Sequence, residues 1–173
     1  MSQLWVFGYG SLMWNPGFDH EERVVARMAG VHRAPCIYSW VHRGTVERPG
    51  IVLGLARGGS CMGVAFRIPL ACQSEVVEYL RARELVTNVY LEKRRRARLM
   101  DGREVEALTY IADPHHDQYA HKLDHDALLR QIKGAQGKSG RNEDYIIDTA
   151  DQMLREGIRD ARIEKLAKEL REN

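Results

Sequence analysis

Apolar and polar positions change rhythm about two-thirds of the way along the chain. The first part carries short apolar runs broken by glycine and proline, the pattern of strands and turns. Residues 4–7 form an apolar run that stops at Gly8, as a buried first strand would. Residues 24–28 and 36–41 predict two further strands, set apart by Gly30 and Pro35. Residues 51–56 and 62–68 flank Arg57-Gly58-Gly59-Ser60, whose Gly-Gly pair predicts a hairpin turn. Residues 89–100 and 103–111 flank Asp101-Gly102, a second hairpin signal that favours positive φ at both turn residues.

Helical spacing is found between and after these strands. Ser74 suits the N-cap of a helix running to about Leu85. Residues 123–133 predict a second helix, ended by Gly134. Asn142 suits the cap of a third, which runs to Glu156 and stops at Gly157. In the last, Ile163, Leu166, Ala167 and Leu170 fall at i, i+3, i+4 and i+7, an apolar stripe. No internal repeat or linker-like stretch interrupts the order. About six strands with helices inserted and appended predict an α+β domain, its mixed sheet curled or closed into a small β-barrel with flanking helices.

Composition bounds the class. A length of 173 residues fits a single domain over residues 1–173, and 44% apolar with 29% charged residues excludes intrinsic disorder. The formal net charge of +2 gives no general reason to expect nucleic acid or an anionic membrane as partner. Cys36, Cys61 and Cys72 form no CxxC pair and suit free thiols in a reducing compartment. No run approaches the roughly 18 apolar residues of a membrane span. The first ten residues lack the basic and apolar regions of a signal peptide, so a cytoplasmic protein is expected.

Two segments carry candidate chemistry. In Val6-Phe7-Gly8-Tyr9-Gly10-Ser11 a strand runs into Gly-x-Gly-Ser, where a sharp turn can aim several backbone N–H groups at one carboxylate or phosphate. It is not a dinucleotide fingerprint, because the third glycine of that motif falls at Met13. Nor is it a nucleophile elbow, since Tyr9 stands where GxSxG needs glycine. A plain strand-ending turn accounts for the same glycines. On the helix from Ser74, Glu84 falls within about 40° of both Val77 and Leu80, while Glu78 and Arg81 are rotated away. A carboxylate on an apolar stripe is desolvated toward its neutral form and so poised to exchange protons near neutral pH. The alternative is a helix end where Glu84 pairs weakly with Arg81.

Three other segments are less promising. Residues 137–142 resemble a phosphate loop superficially, but Ile132 stands where the first glycine belongs, so a loop that cups a site or caps the next helix is expected. His115, His116, His121 and His125 cluster among aspartates, and His121 and His125 at i, i+4 could share a metal. Without HExxH or cysteine support, a solvated surface is favoured and no metal is expected. The run of residues 93–98 is basic, with Arg94, Arg96 and Arg98 on one face and Glu104 and Glu106 available across the hairpin. It lacks the aromatic residues of a single-strand binder, and a solvated edge strand is expected.

Taken together, residues 5–16 (Trp-Val-Phe-Gly-Tyr-Gly-Ser-Leu-Met-Trp-Asn-Pro) resemble the opening motif of the ChaC-like, glutathione-specific γ-glutamylcyclotransferases. Arg43-Gly44-Thr45 with Pro49-Gly50 and Leu53-Gly54-Leu55, Gly63-Val64-Ala65 with Arg67, Arg83-Glu84-Leu85 before Tyr90, and Ser139-Gly140 with Asn142 and Tyr145 follow in family order over nearly the whole chain. Val46 departs where many relatives have proline, and the tail carries an extra charged helix. The resemblance implies a barrel-like sheet with flanking helices and an enzyme, a carbon–nitrogen lyase, that converts glutathione to 5-oxoproline and cysteinylglycine without metal or organic cofactor. It implies that the loop Val6, Phe7, Gly8, Tyr9, Gly10, Ser11 binds the γ-glutamyl moiety and that Glu84 is the catalytic carboxylate. Arg43 and Tyr145 are weaker candidates for contacts to the cysteinylglycine end. Broader γ-glutamyl-amine or γ-glutamyl-amino-acid specificity is the nearest alternative. A non-catalytic module for small carboxylates is the alternative from another class, and the oligomeric state stays open.

Overall fold

The computed structural model describes residues 3–172. Contacts group the chain into two compact units, one built from residues up to Ala34 with Leu55–His116, the other from Pro35–Gly54 with the residues from Asp117 onward.

Five strands, β1 (Trp5–Gly8), β2 (Glu22–Ser39), β3 (Gly50–Arg67), β4 (Tyr90–Leu99) and β5 (Glu104–Ala112), close a barrel in the order β1-β3-β2-β4-β5, and the first unit holds β1, β4 and β5 whole with β2 as far as Ala34 and β3 from Leu55. The short apolar β1 is buried along its length because it is paired on both sides. It lies antiparallel to β3, Trp5 opposite Arg67 and Gly8 opposite Val64, and parallel to β5, Trp5 opposite Ala107. Phe7, Met28, Val31, Leu55, Ala65, Leu99, Ala107 and Ile111 pack in the core. The helix α1 (Gln73–Glu84) precedes β4.

The second unit holds α2 (His125–Ile132), the two-stranded hairpin β6 (Gln136–Gly137) and β7 (Gly140–Arg141), α3 (Asn142–Arg155) and α4 (Ala161–Arg171). Asp124 caps α2 by accepting from the Ala127 amide at 2.7 Å. Ile163, Leu166, Ala167 and Leu170 are all buried, as their stripe predicts, and α4 packs on α3.

Several expectations are corrected. Residues 24–28 and 36–41 do not form separate strands: β2 runs unbroken past Pro35 to Ser39, with Gly30 accommodated at φ +79°. Gly58 and Gly59 both take positive φ (+96° and +69°), yet they sit inside the single strand β3 and not in a turn between two strands. Pairing along the barrel overrides these local breakers. The second hairpin forms, but only Gly102 is left-handed (φ +93°), in a three-residue loop closed by Leu99 N–H to Arg103 O at 2.8 Å. A turn of 3₁₀ helix, Leu70–Cys72, leads into α1, so Cys72 and not Ser74 is its N-cap. Asn142 is the first residue of α3, and Arg141 is the cap. β4 is no edge strand: Ala97 and Leu99 pair with Met28 and Ala26 on one side while β5 pairs on the other. His121, at φ +54°, precedes α2 and shares no helix with His125, which meets Glu169 at 3.0 Å. No described helix is long and apolar enough to cross a membrane.

Candidate active site

Val6, Phe7 and Gly8 lie in β1, and Tyr9, Gly10 and Ser11 carry the chain out of the barrel into a short 3₁₀ turn, Ser11–Met13. The Met13 amide donates to Gly10 O at 2.9 Å, and a turn of this kind leaves its first N–H groups without partners inside it. Two side chains fix the approach: Thr109 Oγ1 donates to Phe7 O at 3.2 Å, and the buried Arg33 donates from Nε to Tyr9 O and from Nη2 to Met62 O, both at 2.6 Å. Tyr9 is itself almost buried, whereas Ser11 is exposed.

Glu84 closes α1. The buried side of that helix is formed by Val76 and Leu80, so the stripe runs through Val76, one position from the expected Val77. Glu84 lies one and two turns on from them, and its side chain is only 19% exposed. Burial raises its pKa above the usual carboxylate value, and the positive charge of Arg83 only partly offsets this. Glu78 and Arg81 are exposed, as expected. Arg81 does not pair with Glu84; it makes a bidentate pair with Glu92 on β4, 2.8 Å in both bonds.

Arg83 brings the two candidate segments together. Its Nη2 donates to Ser11 Oγ at 2.8 Å and its Nη1 to Asn15 O and Tyr79 Oη at 3.0 Å, while its Nε lies 3.5 Å from Glu84 Oε1. A half-buried carboxyl and the loop leaving β1 therefore share one guanidinium. Sequence reasoning noted Arg83 only as part of a motif, because nothing in spacing says that it reaches 72 residues back. Tyr110 and Glu92 were also missed. Glu92 stands opposite Tyr110 across β4 and β5, and the Tyr110 hydroxyl donates to Glu92 Oε2 at 3.1 Å. Counting back from the Asp101-Gly102 turn in the register that sets Arg98 against Glu104 would have found this pair.

Arg43 and Tyr145 belong to the second unit, where the Arg43 guanidinium lies 5.4 Å from the centre of the Tyr145 ring. The Tyr145 hydroxyl accepts from Leu53 N–H at 3.0 Å. Residues 138 and 139 donate from their amides to Val41 O and His42 O.

The barrel is closed, without the open parallel sheet of a nucleotide-binding fold, and a half-buried carboxyl beside a strand-end loop has the chemistry to exchange a proton. The sequence profile of the ChaC-like protein family matches residues 4–173, and the chain belongs to that family. It is 36% identical over 157 residues to the glutathione-specific γ-glutamylcyclotransferase of Escherichia coli (strain K12), covering 91% of this chain and 68% of that protein. It is 33% identical over 154 residues to glutathione-specific γ-glutamylcyclotransferase 1 of Homo sapiens, covering 87% and 69%. A crystal structure of a glutathione-specific γ-glutamylcyclotransferase from yeast superposes with a TM-score of 0.88 at 22% identity, over 99% of this chain and 97% of that one, and so has the same fold.

Proposed function

We propose that this chain is a glutathione-specific γ-glutamylcyclotransferase, a single domain over residues 1–173 that releases 5-oxoproline and cysteinylglycine from glutathione. The observation that carries this reading is the Glu84 carboxyl, desolvated and tied through Arg83 to the loop leaving β1, in a chain that the ChaC-like profile matches from residue 4 to residue 173.

Glu84 is the general base and then the general acid. The substrate's α-amine is an ammonium at neutral pH and cannot attack until it loses a proton. Glu84 takes that proton, and the amine lone pair attacks the γ-carbonyl carbon to close a five-membered ring. As the tetrahedral centre collapses, the bond to the cysteine nitrogen breaks, Glu84 gives its proton to the departing amine and takes the second proton from the ring nitrogen, which leaves 5-oxoproline with one N–H; that second proton leaves on the product amine as its ammonium. No atom is gained from water. A raised pKa suits a group that must accept and release the same proton.

Val6, Phe7, Gly8, Tyr9, Gly10 and Ser11 form the γ-glutamyl site, with the orphan amides at the start of the 3₁₀ turn offered to the substrate's α-carboxylate. Holding a flexible glutamyl chain bent for ring closure is positioning of a kind worth up to roughly 7–11 kcal/mol in favourable cases. A cytoplasmic location belongs to the same reading and is supported by three cysteines that are all free thiols. The test is 5-oxoproline release from glutathione and, beside it, from γ-glutamyl-alanine. Efficient turnover of glutathione alone is expected, comparable rates on both would replace it with the broader specificity, and silence on both would reject the enzyme.

A further inference from the structure

Arg33 is a buried cation that the mechanism above does not use. It lies on β2, 7% exposed, and its side chain reaches past β3 to the end of β1. Nε donates to Tyr9 O and Nη2 to Met62 O, each at 2.6 Å, so one edge of the planar fork joins a carbonyl just beyond β1 to one within β3. Neutral donors could hold two carbonyls, and taking a full charge out of water to do so is costly. The charge calls for a reason beyond tethering.

The peptide group at the accepting carbonyl supplies one. Tyr9 C=O and Gly10 N–H belong to the same planar amide, and a cation bonded to the oxygen draws electron density from the nitrogen and makes its N–H a stronger donor. Arg33 Nε lies within about 5 Å of the Gly10 nitrogen, since only the 2.6 Å bond and the amide itself separate them. Gly10 N–H has no acceptor among the described residues, although Gly10 O accepts from Met13 N–H. Gly10 is half-buried, and a Cβ added to it would meet nothing within 4 Å, so the space beside this amide is open. By contrast Phe7 O, whose peptide N–H belongs to Gly8 inside β1, accepts only a neutral hydroxyl, from Thr109 at 3.2 Å.

We propose that Arg33 is a positioning residue for the substrate's α-carboxylate: it charges the carbonyl end of the Tyr9–Gly10 peptide and so strengthens the Gly10 N–H that receives the carboxylate. The cation never touches the ligand. It acts through one peptide group, and burial keeps water from screening it. The inference deepens the γ-glutamyl reading and rests on it.

The test measures binding to the Glu84→Gln protein, so that bound ligand is not consumed. Calorimetry compares glutathione with 4-aminobutyryl-cysteinylglycine, in which a hydrogen stands in place of the α-carboxylate. E84Q should prefer glutathione. Adding Arg33→Gln, which removes the charge and keeps an amide donor, should shrink that preference by about tenfold, as for a hydrogen bond to a charged group, and should leave affinity for the analogue nearly unchanged. Arg33→Lys, which keeps the charge without the fork, should retain most of the preference. A merely structural role would weaken both ligands alike. In the otherwise unsubstituted enzyme R33Q should raise KM more than it lowers kcat. Without ligand, the Gly10 amide nitrogen and proton resonances of the labelled protein should move upfield in R33Q and stay near their original positions in R33K. If R33Q does not fold, R33K decides: loss of the preference in it, or a Gly10 amide shifted as far as in an unpolarised loop amide, overturns the proposal. Equal affinity of E84Q for the two ligands overturns it as well, and so does an R33Q protein that weakens both ligands by the same factor. Wild-type protein that releases no 5-oxoproline, with the charge-dependent carboxylate preference intact, would reject the cyclotransferase reading and leave the role of Arg33 standing. Normal turnover with a preference indifferent to Arg33 would do the reverse.

Discussion

Arg83 donates to Ser11 Oγ at 2.8 Å from the helical turn that also carries Glu84. One side chain thus sets the distance between the loop leaving β1 and the end of α1, two segments that the chain separates by a long excursion through β2 and β3. Its planar fork serves Ser11, Asn15, Pro16 and Tyr79 at once, which a lysine cannot reproduce.

Arg83→Ala should therefore cost activity more than stability. The side chain is partly exposed and fills no core volume, so the unfolding midpoint should move little, by an amount equivalent to about 1 kcal/mol or less. kcat/KM for glutathione should fall by roughly 10- to 100-fold, the scale on which small misplacements of reacting groups act. Arg83→Lys should recover only a small part of it. Steady-state kinetics beside a urea titration would decide, and a variant with unchanged kcat/KM would remove Arg83 from the site.

Glu84→Gln should abolish turnover while glutathione still binds, with a loss of at least about 100-fold, as for removal of a general acid–base group. The same substitution should stabilise the fold at neutral pH. The folded-state pKa of Glu84 is raised, so the native chain binds the proton more tightly than the unfolded chain. Stability contributed at this position therefore falls as pH rises from the ordinary carboxylate value through the raised one, and the penalty is complete above it. Glutamine carries no such penalty. The stability difference between variant and wild type should be largest at neutral pH and vanish below the ordinary glutamate pKa. Activity should follow the opposite limb, falling as pH drops through the raised pKa because the base becomes protonated. Denaturation curves and kcat/KM across that pH range test both signs.

Much of this was legible in the chain, because local patterns wrote it there. The apolar run ending at Gly8, the stripe Ile163, Leu166, Ala167 and Leu170, and the Asp101-Gly102 turn each follow from spacing and turn chemistry alone. Placing Glu84 on the buried side of its helix followed from the same periodicity. What stayed hidden depends on pairing over long distances. Gly30, Pro35, Gly58 and Gly59 look like breaks when read locally, yet they lie inside 18-residue strands whose length the barrel sets. Asn142 looks like a cap, but its side chain is needed elsewhere.

Asn142 is wholly buried and bonds both backbone groups of Ile51, accepting from the amide at 2.7 Å and donating to the carbonyl at 2.8 Å. Asn142→Leu keeps the branched heavy-atom skeleton and removes both partners. It should destabilise the protein by about 2–4 kcal/mol, since a buried donor and a buried acceptor are left unmatched. Asn142→Asp keeps the acceptor but sets a carboxylate against the Ile51 carbonyl, so it should recover little at neutral pH and more in mild acid, where the protonated carboxyl can donate. Urea unfolding at the two pH values distinguishes a specific amide pair from mere packing, for which Leu would be tolerated.

Gly63 tests how closely β3 must approach β1. A Cβ at this position would lie 2.4 Å from Gly8 O and 2.6 Å from Cζ of Phe7. Neither is the free end of a flexible side chain: one is the backbone of β1, the other a fully buried ring in the core. Space and not torsion is the constraint, because Gly63 is not among the glycines with positive φ. Gly63→Ala should therefore push β1 outward and cost about 1–3 kcal/mol or more, as overpacking of a dense core does. Gly8 leads directly into Tyr9, Gly10 and Ser11, so the displacement should also raise KM for glutathione. Gly10→Ala is the control, since a Cβ there meets nothing within 4 Å and should leave stability nearly unchanged. Equal unfolding midpoints for the two alanine variants would show that the barrel yields at this contact and that the loop is not held by it.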